Sequence, residues 1–483
     1  MNLAAVQRVL GMLLMIFSTT MLPPALVSAI FADGELGTFL QSFALVLLLG
    51  ALAWFPVRRE RHDLRRRDGA LIVASFWIVL GTAGAAPFLL TQGTPLSVTD
   101  SMFTAIAGIT TTGAEVIVGL DILPESIVFY RQWLQWLGGM GIIVLAVAIL
   151  PLLGVGGMQL YRAETPGPSK DTKLTPRITE TAKVLWSIYL VFTVLCAAGY
   201  WLSGMTVFDA IGYSLSTVSS GGLAMHDAGI PYFDSVAIEL VTIIFMFLAT
   251  VNFALHFHLF RKGTVRQYWR DPEFRFYLLL IAGMVAFVTA YLSISGHYDD
   301  AATSFRHALF NAVSAISTSG FTSANFSEWP GMLPPLLILS SFIGACAYST
   351  GGGMKCVRWV LLIKQGWREV RRLVHPHAQF TTKLGRRAVS EKIVSAVWGF
   401  FSVYIVVFAA LMIISMAVGL DHVTAFSAVA SCLNNLGPGL GEVATNYASI
   451  PTASKWVLMF AMLLGRLEIF TLLILLAPAF WKK

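Results

Sequence analysis

Charge is what this chain has least of. Lys, Arg, Asp and Glu together make up 12% of its 483 residues, about half the roughly 25% of ordinary soluble domains. So few charges cannot cover the several solvated domains that the length would otherwise allow. Cysteine is nearly absent too. Cys196, Cys346, Cys356 and Cys432 lie in or beside apolar stretches without CxxC spacing, which argues against a disulfide framework and favours small buried side chains. No HExxH or GxSxG string occurs, and no pair of aspartates within an apolar run, so an intramembrane hydrolase has no catalytic set.

Apolar sequence is what fills the space. Hydrophobic residues make up 56% and the mean hydropathy is +0.73. A spanning helix needs about 20 mostly apolar residues, and ten candidates follow: Val9–Phe31, Phe39–Phe55, Leu71–Leu90, Ile127–Leu153, Val184–Leu202, Ile238–Phe260, Phe276–Ile294, an interrupted Met332–Ile363, Ile393–Val418 and Trp456–Phe480. The first has no clear cleavage site, so it is expected to be a retained helix rather than a signal peptide.

The net charge of +7 could mark a nucleic-acid binder, but its layout excludes that. Six arginines lie in Arg58–Arg67, five basic residues in Arg162–Lys183, five in Arg261–Arg275, eight in Lys364–Lys392 and two at the C-terminus, 26 of the 33 in all. The alternate loops hold Asp33, Glu35, Asp100, Glu115, Asp121, Glu125, Asp209, Asp227, Asp234, Asp299, Asp300, Glu328, Asp421 and Glu442. Their basic residues are few: Arg306, with Arg131 and Lys455 at helix entrances. The positive-inside rule then predicts a multi-pass protein with both termini cytoplasmic.

Four of the acidic loops share a pattern. Each ends a short, weakly apolar segment: Ala105-Ile-Ala-Gly-Ile-Thr-Thr-Thr-Gly113, Ser214-Leu-Ser-Thr-Val-Ser-Ser-Gly-Gly222, Ala312-Val-Ser-Ala-Ile-Ser-Thr-Ser-Gly320 and Val429-Ala-Ser-Cys-Leu-Asn-Asn-Leu-Gly437. A small residue stands six before the glycine and an aliphatic one four before it, with Ser, Thr or Asn at minus three and minus two. Spacings of 109, 98 and 117 residues indicate internal duplication. Each segment is too short to span, so a helix that dips in and returns as extended backbone is predicted, tolerated only where buried or lining water. Four such hairpins around one axis would present carbonyl dipoles in place of a cation's hydration shell. Glu115, Asp121, Asp227 and Glu442 would concentrate cations at the mouth.

These strings carry a family resemblance. Gly108-Ile-Thr-Thr-Thr-Gly-Ala114 and Leu433-Asn-Asn-Leu-Gly-Pro-Gly-Leu-Gly441 resemble the Trk/Ktr/HKT superfamily of potassium transporters. Tyr130-Arg-Gln-Trp-Leu-Gln-Trp-Leu-Gly-Gly-Met-Gly141, Tyr268-Trp-Arg-Asp-Pro-Glu-Phe274 and Leu373-Val-His-Pro376 narrow the likeness to bacterial TrkH-type membrane subunits. The resemblance implies an all-α polytopic fold: two N-terminal transmembrane helices (1–69), then four helix–pore-loop–helix repeats around a pseudo-fourfold pore. The repeats would cover 70–158 (loop 100–115), 159–262 (208–224), 263–372 (304–322, with a gating loop 344–356) and 373–483 (422–441). It implies gated potassium uptake across the bacterial inner membrane, with potassium as cargo and no cofactor bound by this chain. It further implies a homodimer and a cytosolic regulatory subunit of the RCK/KTN type binding NAD(H) or ATP/ADP. The implied selectivity filter is Thr110, Thr111, Thr112 and Gly113; Ser219, Ser220, Gly221 and Gly222; Ser317, Thr318, Ser319 and Gly320; and Asn434, Asn435, Leu436 and Gly437, which would hold the potassium ion. In sodium-passing relatives the first glycine can be serine; Gly113 favours potassium. In the second turn the register prefers Gly222 to Gly221.

The eighth span is broken by Gly344-Ala-Cys-Ala-Tyr-Ser-Thr-Gly-Gly-Gly-Met-Lys-Cys356. Successive glycines cost about 1 kcal/mol each against alanine in a helix, so this stretch is predicted to unwind against a cavity. It lacks GxxxxGK[ST] spacing and is no phosphate loop. The resemblance identifies it with the family's gating loop, with Gly344, Ala345, Gly351, Gly352 and Gly353 as gate residues. Arg466 resembles the family's pore-side arginine. Arg466 and Glu468 lie inside the last apolar run, where charge is costly and needs a cavity or a partner; two residues apart, they face different sides of a helix. Lys355 and Arg358 are expected to snorkel to the inner interface. A proton- or sodium-coupled symporter is the alternative, and it would show inverted repeats and a midplane carboxylate relay.

Overall fold

A computed structural model describes residues 2–59, 66–91, 93, 96–144, 178–378, 380–385, 387–469, 472–473, 475 and 477–481. The end of the predicted Ile127–Leu153 span, most of the basic Arg162–Lys183 loop, part of Arg58–Arg67, Arg386, Lys482 and Lys483 lie outside the described residues.

Apolar runs become helices because a segment in hydrocarbon has to satisfy its own backbone groups. A first rod combines α1 (Leu3–Ser18) and α2 (Leu22–Phe31). It packs against α3 (Leu36–Trp54), which is followed by α4 (Arg66–Gly84) and α5 (Ala86–Leu90). Then come α6 (Val98–Ile109), α7 (Glu125–Val144), α8 (Ile178–Leu202), α9 (Val207–Ser219), α10 (Val236–Thr250), α11 (Phe253–Lys262), α12 (Arg266–Arg270) and α13 (Pro272–Ser295). The chain continues through α14 (Ala301–Ser317), α15 (Leu333–Ser340), α16 (Cys356–Val374), α17 (Glu391–Ala417), α18 (His422–Asn434) and α19 (Thr452–Arg466). Among the described residues six helical stretches are long and apolar enough to cross a membrane, or seven counting one bent pair. The outer faces of the long helices stay apolar, as lipid contact requires: Leu279 is 72% exposed and Val406 67%.

Three predicted spans are not continuous. The sixth breaks at Val251–Asn252, where α11 leaves α10 at 95° and Asn252 caps the new helix by accepting from the Ala254 N–H at 2.9 Å. The eighth is helical only over α15 and α16, with irregular backbone from 341 to 355. The tenth stops at Arg466, and Glu468 and Ile469 both take left-handed backbone, with φ of 53° and 54°. The sixth and eighth breaks repair each other. Thr250 O accepts from Cys346 N at 3.1 Å, Ala249 O from Thr350 N at 3.3 Å, and Tyr348 O from Phe253 N at 3.1 Å. Backbone freed from one helix is thus satisfied by the other, as a dry interior demands.

Candidate ion-conducting site

The four short helices α6, α9, α14 and α18 start alike. Ser97 Oγ accepts from Asp100 N at 3.1 Å and Thr206 Oγ1 from Asp209 N at 3.1 Å. Asp300 accepts from Thr303 N at 2.5 Å and Asp421 from Val423 N at 2.8 Å. Each helix therefore has a side-chain N-cap. They end alike as well. The N–H one residue before each glycine reaches the carbonyl six before it: Thr112 to Ala107, Gly221 to Ser216, Ser319 to Ser314 and Leu436 to Ser431, at 2.9, 2.9, 2.9 and 2.8 Å. Thr111, Ser220, Thr318 and Asn435, each two before a glycine, take left-handed backbone with φ of 51° to 57°. Four β-carbon-bearing residues in that region show how strongly the C-cap demands it.

The turns after these caps form a closed ring. A β-carbon on Gly113 would lie 2.0 Å from Gly221 O, one on Gly222 2.1 Å from Ser319 O, one on Gly320 2.1 Å from Leu436 O, and one on Gly437 2.7 Å from Thr112 O. Each glycine thus abuts the carbonyl just before the next turn's glycine, and the fourth turn returns to the first. The glycines have φ of 73°, 76°, 81° and 101°. In the second turn it is Gly222, not Gly221, that takes this conformation. Among the described residues the carbonyls of Thr112, Ser319 and Leu436 accept no hydrogen bond. Buried carbonyls without donors are rare, and here three lie on one ring. All four glycines line a single cavity of about 510 Å3 on the acidic-loop side. The C-terminal ends of the four helices add partial negative charge.

On the other side of the ring sits the unwound 341–355 segment. Gly352 N donates to Thr318 Oγ1 at 2.6 Å and Gly353 N to Asn434 O at 3.1 Å. Ser220 Oγ and Thr350 Oγ1 are 2.8 Å apart. The loop therefore touches the second, third and fourth turns. Arg466, 5% exposed, closes the remaining side: Nη1 donates to Thr350 O and Nη2 to Gly138 O on α7, both at 3.1 Å. Its guanidinium carbon lies 5.5 Å from the Trp77 ring centroid. Two amides anchor the loop from behind, as Ala347 N and Val357 N donate to Glu273 Oε1 at 2.7 and 3.1 Å.

A sequence model of TrkH, described as a cation transport protein, matches residues 36–483. The chain belongs to the TrkH family. Along its whole length it is 54% identical over 487 residues to the Trk system potassium uptake protein TrkH of Vibrio parahaemolyticus, which is also covered in full. Identity to the Escherichia coli K12 protein of the same name is 51% over 483 residues, again covering both chains. The Trk system potassium uptake protein TrkG of that organism is 37% identical over 482 residues, spanning 100% of this chain and 99% of TrkG. The crystal structure of the potassium transporter TrkH from Vibrio parahaemolyticus has a TM-score of 0.92 at 51% identity, covering both chains entirely. TrkH is a family of multi-pass membrane transporters, not of enzymes.

Every turn residue singled out in this TrkH-family sequence lies at the ring or against it, but the roles of the side chains differ. Asn434 points sideways, donating to Ser341 Oγ at 2.8 Å and accepting from Tyr404. Asn435 donates to Thr112 Oγ1 at 2.9 Å and to Met462 O at 3.1 Å, tying the fourth turn to the first. Gln135 on α7 was not legible as a site residue. Its Nε2 donates to Gly221 O at 2.7 Å while Oε1 accepts from Ser216 Oγ at 2.7 Å and Leu223 N at 3.3 Å. Tyr447 donates to Gly437 O at 2.7 Å. Only the place of Gln135 within the motif Tyr130–Gly141 and of Tyr447 shortly after Gly441 hinted at either.

One expectation about charge needs correction. Arg358 does not snorkel: it is 4% exposed, pairs with Glu468 and lies 4.1 Å from the Phe400 ring centroid, while Lys355 turns back to the Gly351 carbonyl. Glu468, in left-handed backbone just after the break that follows Arg466, is the residue that meets Arg358 on α16. The acids at the mouth are also largely occupied. Glu115 pairs with the buried Arg131, Asp121 with His226, and Asp227 accepts from Gly119 N and Leu120 N at 3.1 and 2.9 Å. Arg306 and Lys455 likewise pair, with Glu239 at 2.6 Å and Asp100 at 2.6 Å. Glu115 and Asp121 thus face basic partners, and these bonds tie the loops together.

His226 is the titratable member of that set. Nδ1 lies 2.7 Å from Asp121, Nε2 3.1 Å from Asp209, and the ring stacks on Tyr232 at 3.7 Å. Burial opposes its charge, but hydrogen bonds to Asp209 and Asp121 outweigh it and lift its pKa above the ordinary 6.5. A raised histidine stabilises the fold fully below pH 6.5 and loses that contribution as pH rises through the folded value. Thermal unfolding of the purified protein is expected to show His226→Gln less stable than wild type at pH 6, by about 1 kcal/mol or less. The gap should close at alkaline pH. An unchanged gap across that range would remove the charge from the account.

Proposed function

We propose that the chain takes up potassium through a gated pore whose filter is the ring of four turns. The three donor-free carbonyls of the ring, those of Thr112, Ser319 and Leu436, carry this reading, because such groups can replace a cation's water shell. Each turn with its flanking helices is one of four repeats, 70–158, 159–262, 263–372 and 373–483, after two N-terminal spans in 1–69. The 341–355 segment with Arg466 is the gate below the filter, since its amides and the Thr350 hydroxyl lie against three of the four turns and the Arg466 guanidinium holds the loop through Thr350 O. The basic loops face the cytoplasm with both termini, in the bacterial inner membrane. By likeness to proteins named for the Trk system, the chain forms a homodimer regulated by a cytosolic nucleotide-binding subunit of the RCK/KTN type. The coupled-symporter alternative needs a carboxylate free to exchange its ion; Glu468 and Glu273 are both engaged.

Flux from proteoliposomes loaded with potassium or sodium tests the reading. Wild type is expected to pass potassium at least about tenfold faster, a discrimination of roughly 1.4 kcal/mol. Gly113→Ser should bring the ratio toward one, because its β-carbon would displace Gly221 O. Equal fluxes in wild type would refute the filter.

A further inference from the structure

A second cavity shares no lining residue with the one above the ring. It measures about 360 Å3, opens to the surface and is walled by Phe192, Phe247, Leu248, Leu259, Phe260 and Trp269. Its polar members, His256 and Tyr268, are already satisfied. His256 Nε2 lies 2.9 Å from Leu248 O, so it carries the proton, and Nδ1 accepts from the Tyr268 hydroxyl at 2.7 Å. Nothing remains in the lining to orient a polar metabolite, whereas a hydrocarbon tail needs no such group.

The placement suits a lipid. Because α11 turns 95° from α10, it lies in the plane of a bilayer that α10 crosses, as an interfacial helix does. Phe260, Val265 and Trp269 remain 61%, 58% and 60% exposed at the rim. Each is followed at once by an arginine: Arg261, Arg266 and Arg270, all exposed. None of the three has a carboxylate partner among the described residues. We propose that this pocket holds one acyl chain of an anionic phospholipid, whose phosphate is bound by Arg266 and Arg270. Unpaired arginines at a membrane edge attract anionic headgroups, and the apolar pocket beside them distinguishes a lipid from free phosphate.

Native mass spectrometry of the detergent-purified full chain, titrated with phosphatidylglycerol or phosphatidylcholine of equal chain length, reads the site. Wild type should retain phosphatidylglycerol about tenfold more tightly. Arg266→Gln with Arg270→Gln should abolish the preference, and Leu259→Trp, which fills the pocket, should remove one bound lipid of either kind. Inorganic phosphate should displace nothing. Equal retention by wild type, a preference that survives the double substitution, or displacement by phosphate overturns the proposal. If Leu259→Trp does not fold, a photo-crosslinking benzoylphenylalanine in place of Trp269 decides in phosphatidylglycerol vesicles. A lipid adduct supports the site; a crosslink to another segment of this chain or to a second copy overturns it.

Discussion

Gly222→Ala is expected to cut potassium uptake by tenfold or more while leaving the protein in the membrane. The new β-carbon would lie 2.1 Å from Ser319 O and 3.0 Å from Gly320 Cα. Both are backbone of the neighbouring turn, so no flexible side chain can move aside. Left-handed backbone adds roughly 1–2 kcal/mol for a residue with a β-carbon. Since Gly320 in turn abuts Leu436 O, a shift in the third turn passes to the fourth, and each carbonyl leaves the position from which it would meet an ion. The check is potassium uptake by cells lacking other uptake systems, with membrane protein quantified in parallel. Gly283→Ala is the control: it lies within α13, nothing stands within 4 Å of its β-carbon, and uptake should not change. Normal uptake by Gly222→Ala would dissociate the ring from conduction.

Arg466→Ala should act in the opposite sense, raising basal potassium flux about tenfold or more in proteoliposomes without any partner protein. Arg466 binds the loop through Thr350 O and the α7 backbone through Gly138 O. Charge-assisted hydrogen bonds are worth about 1.5–3 kcal/mol each, and only about 1.4 kcal/mol is needed to shift an equilibrium tenfold. Alanine also removes a positive charge from beneath the ring, lowering the barrier to a cation. Lysine keeps the charge but not the fork that reaches two carbonyls, so Arg466→Lys should fall between wild type and alanine. Potassium over sodium selectivity should persist, because the ring keeps its own contacts. Unchanged or lower flux in a folded Arg466→Ala protein would remove Arg466 from the gate.

The turns were legible because their requirement is local. A helix that must stop in apolar surroundings needs small or amide residues and a glycine, and four copies at regular spacing multiply a weak signal. Arg466 stood out for a similar reason, as charge in an apolar run is rare. The breaks at Val251 and after Arg466 were not legible. An apolar run reads the same whether it continues or bends, and Asn252 is a modest capping signal. At Val251 only a partner for the freed backbone makes a bend affordable, and that partner, the 341–355 loop, lies about a hundred residues away in sequence. After Arg466 the Ile469 N–H turns back to Leu464 O instead.

Sequence alone therefore determined the apolar spans, the segregation of charge and the phase of the four glycines, all of which follow from one segment and its solvent. Tertiary structure alone decided what each polar group faces: Gln135 on Gly221, Asn435 between two turns, Glu468 on Arg358 rather than beside Arg466. In a dry interior a polar side chain takes whichever partner the packing brings within reach, and that choice is made between helices, where no local pattern records it.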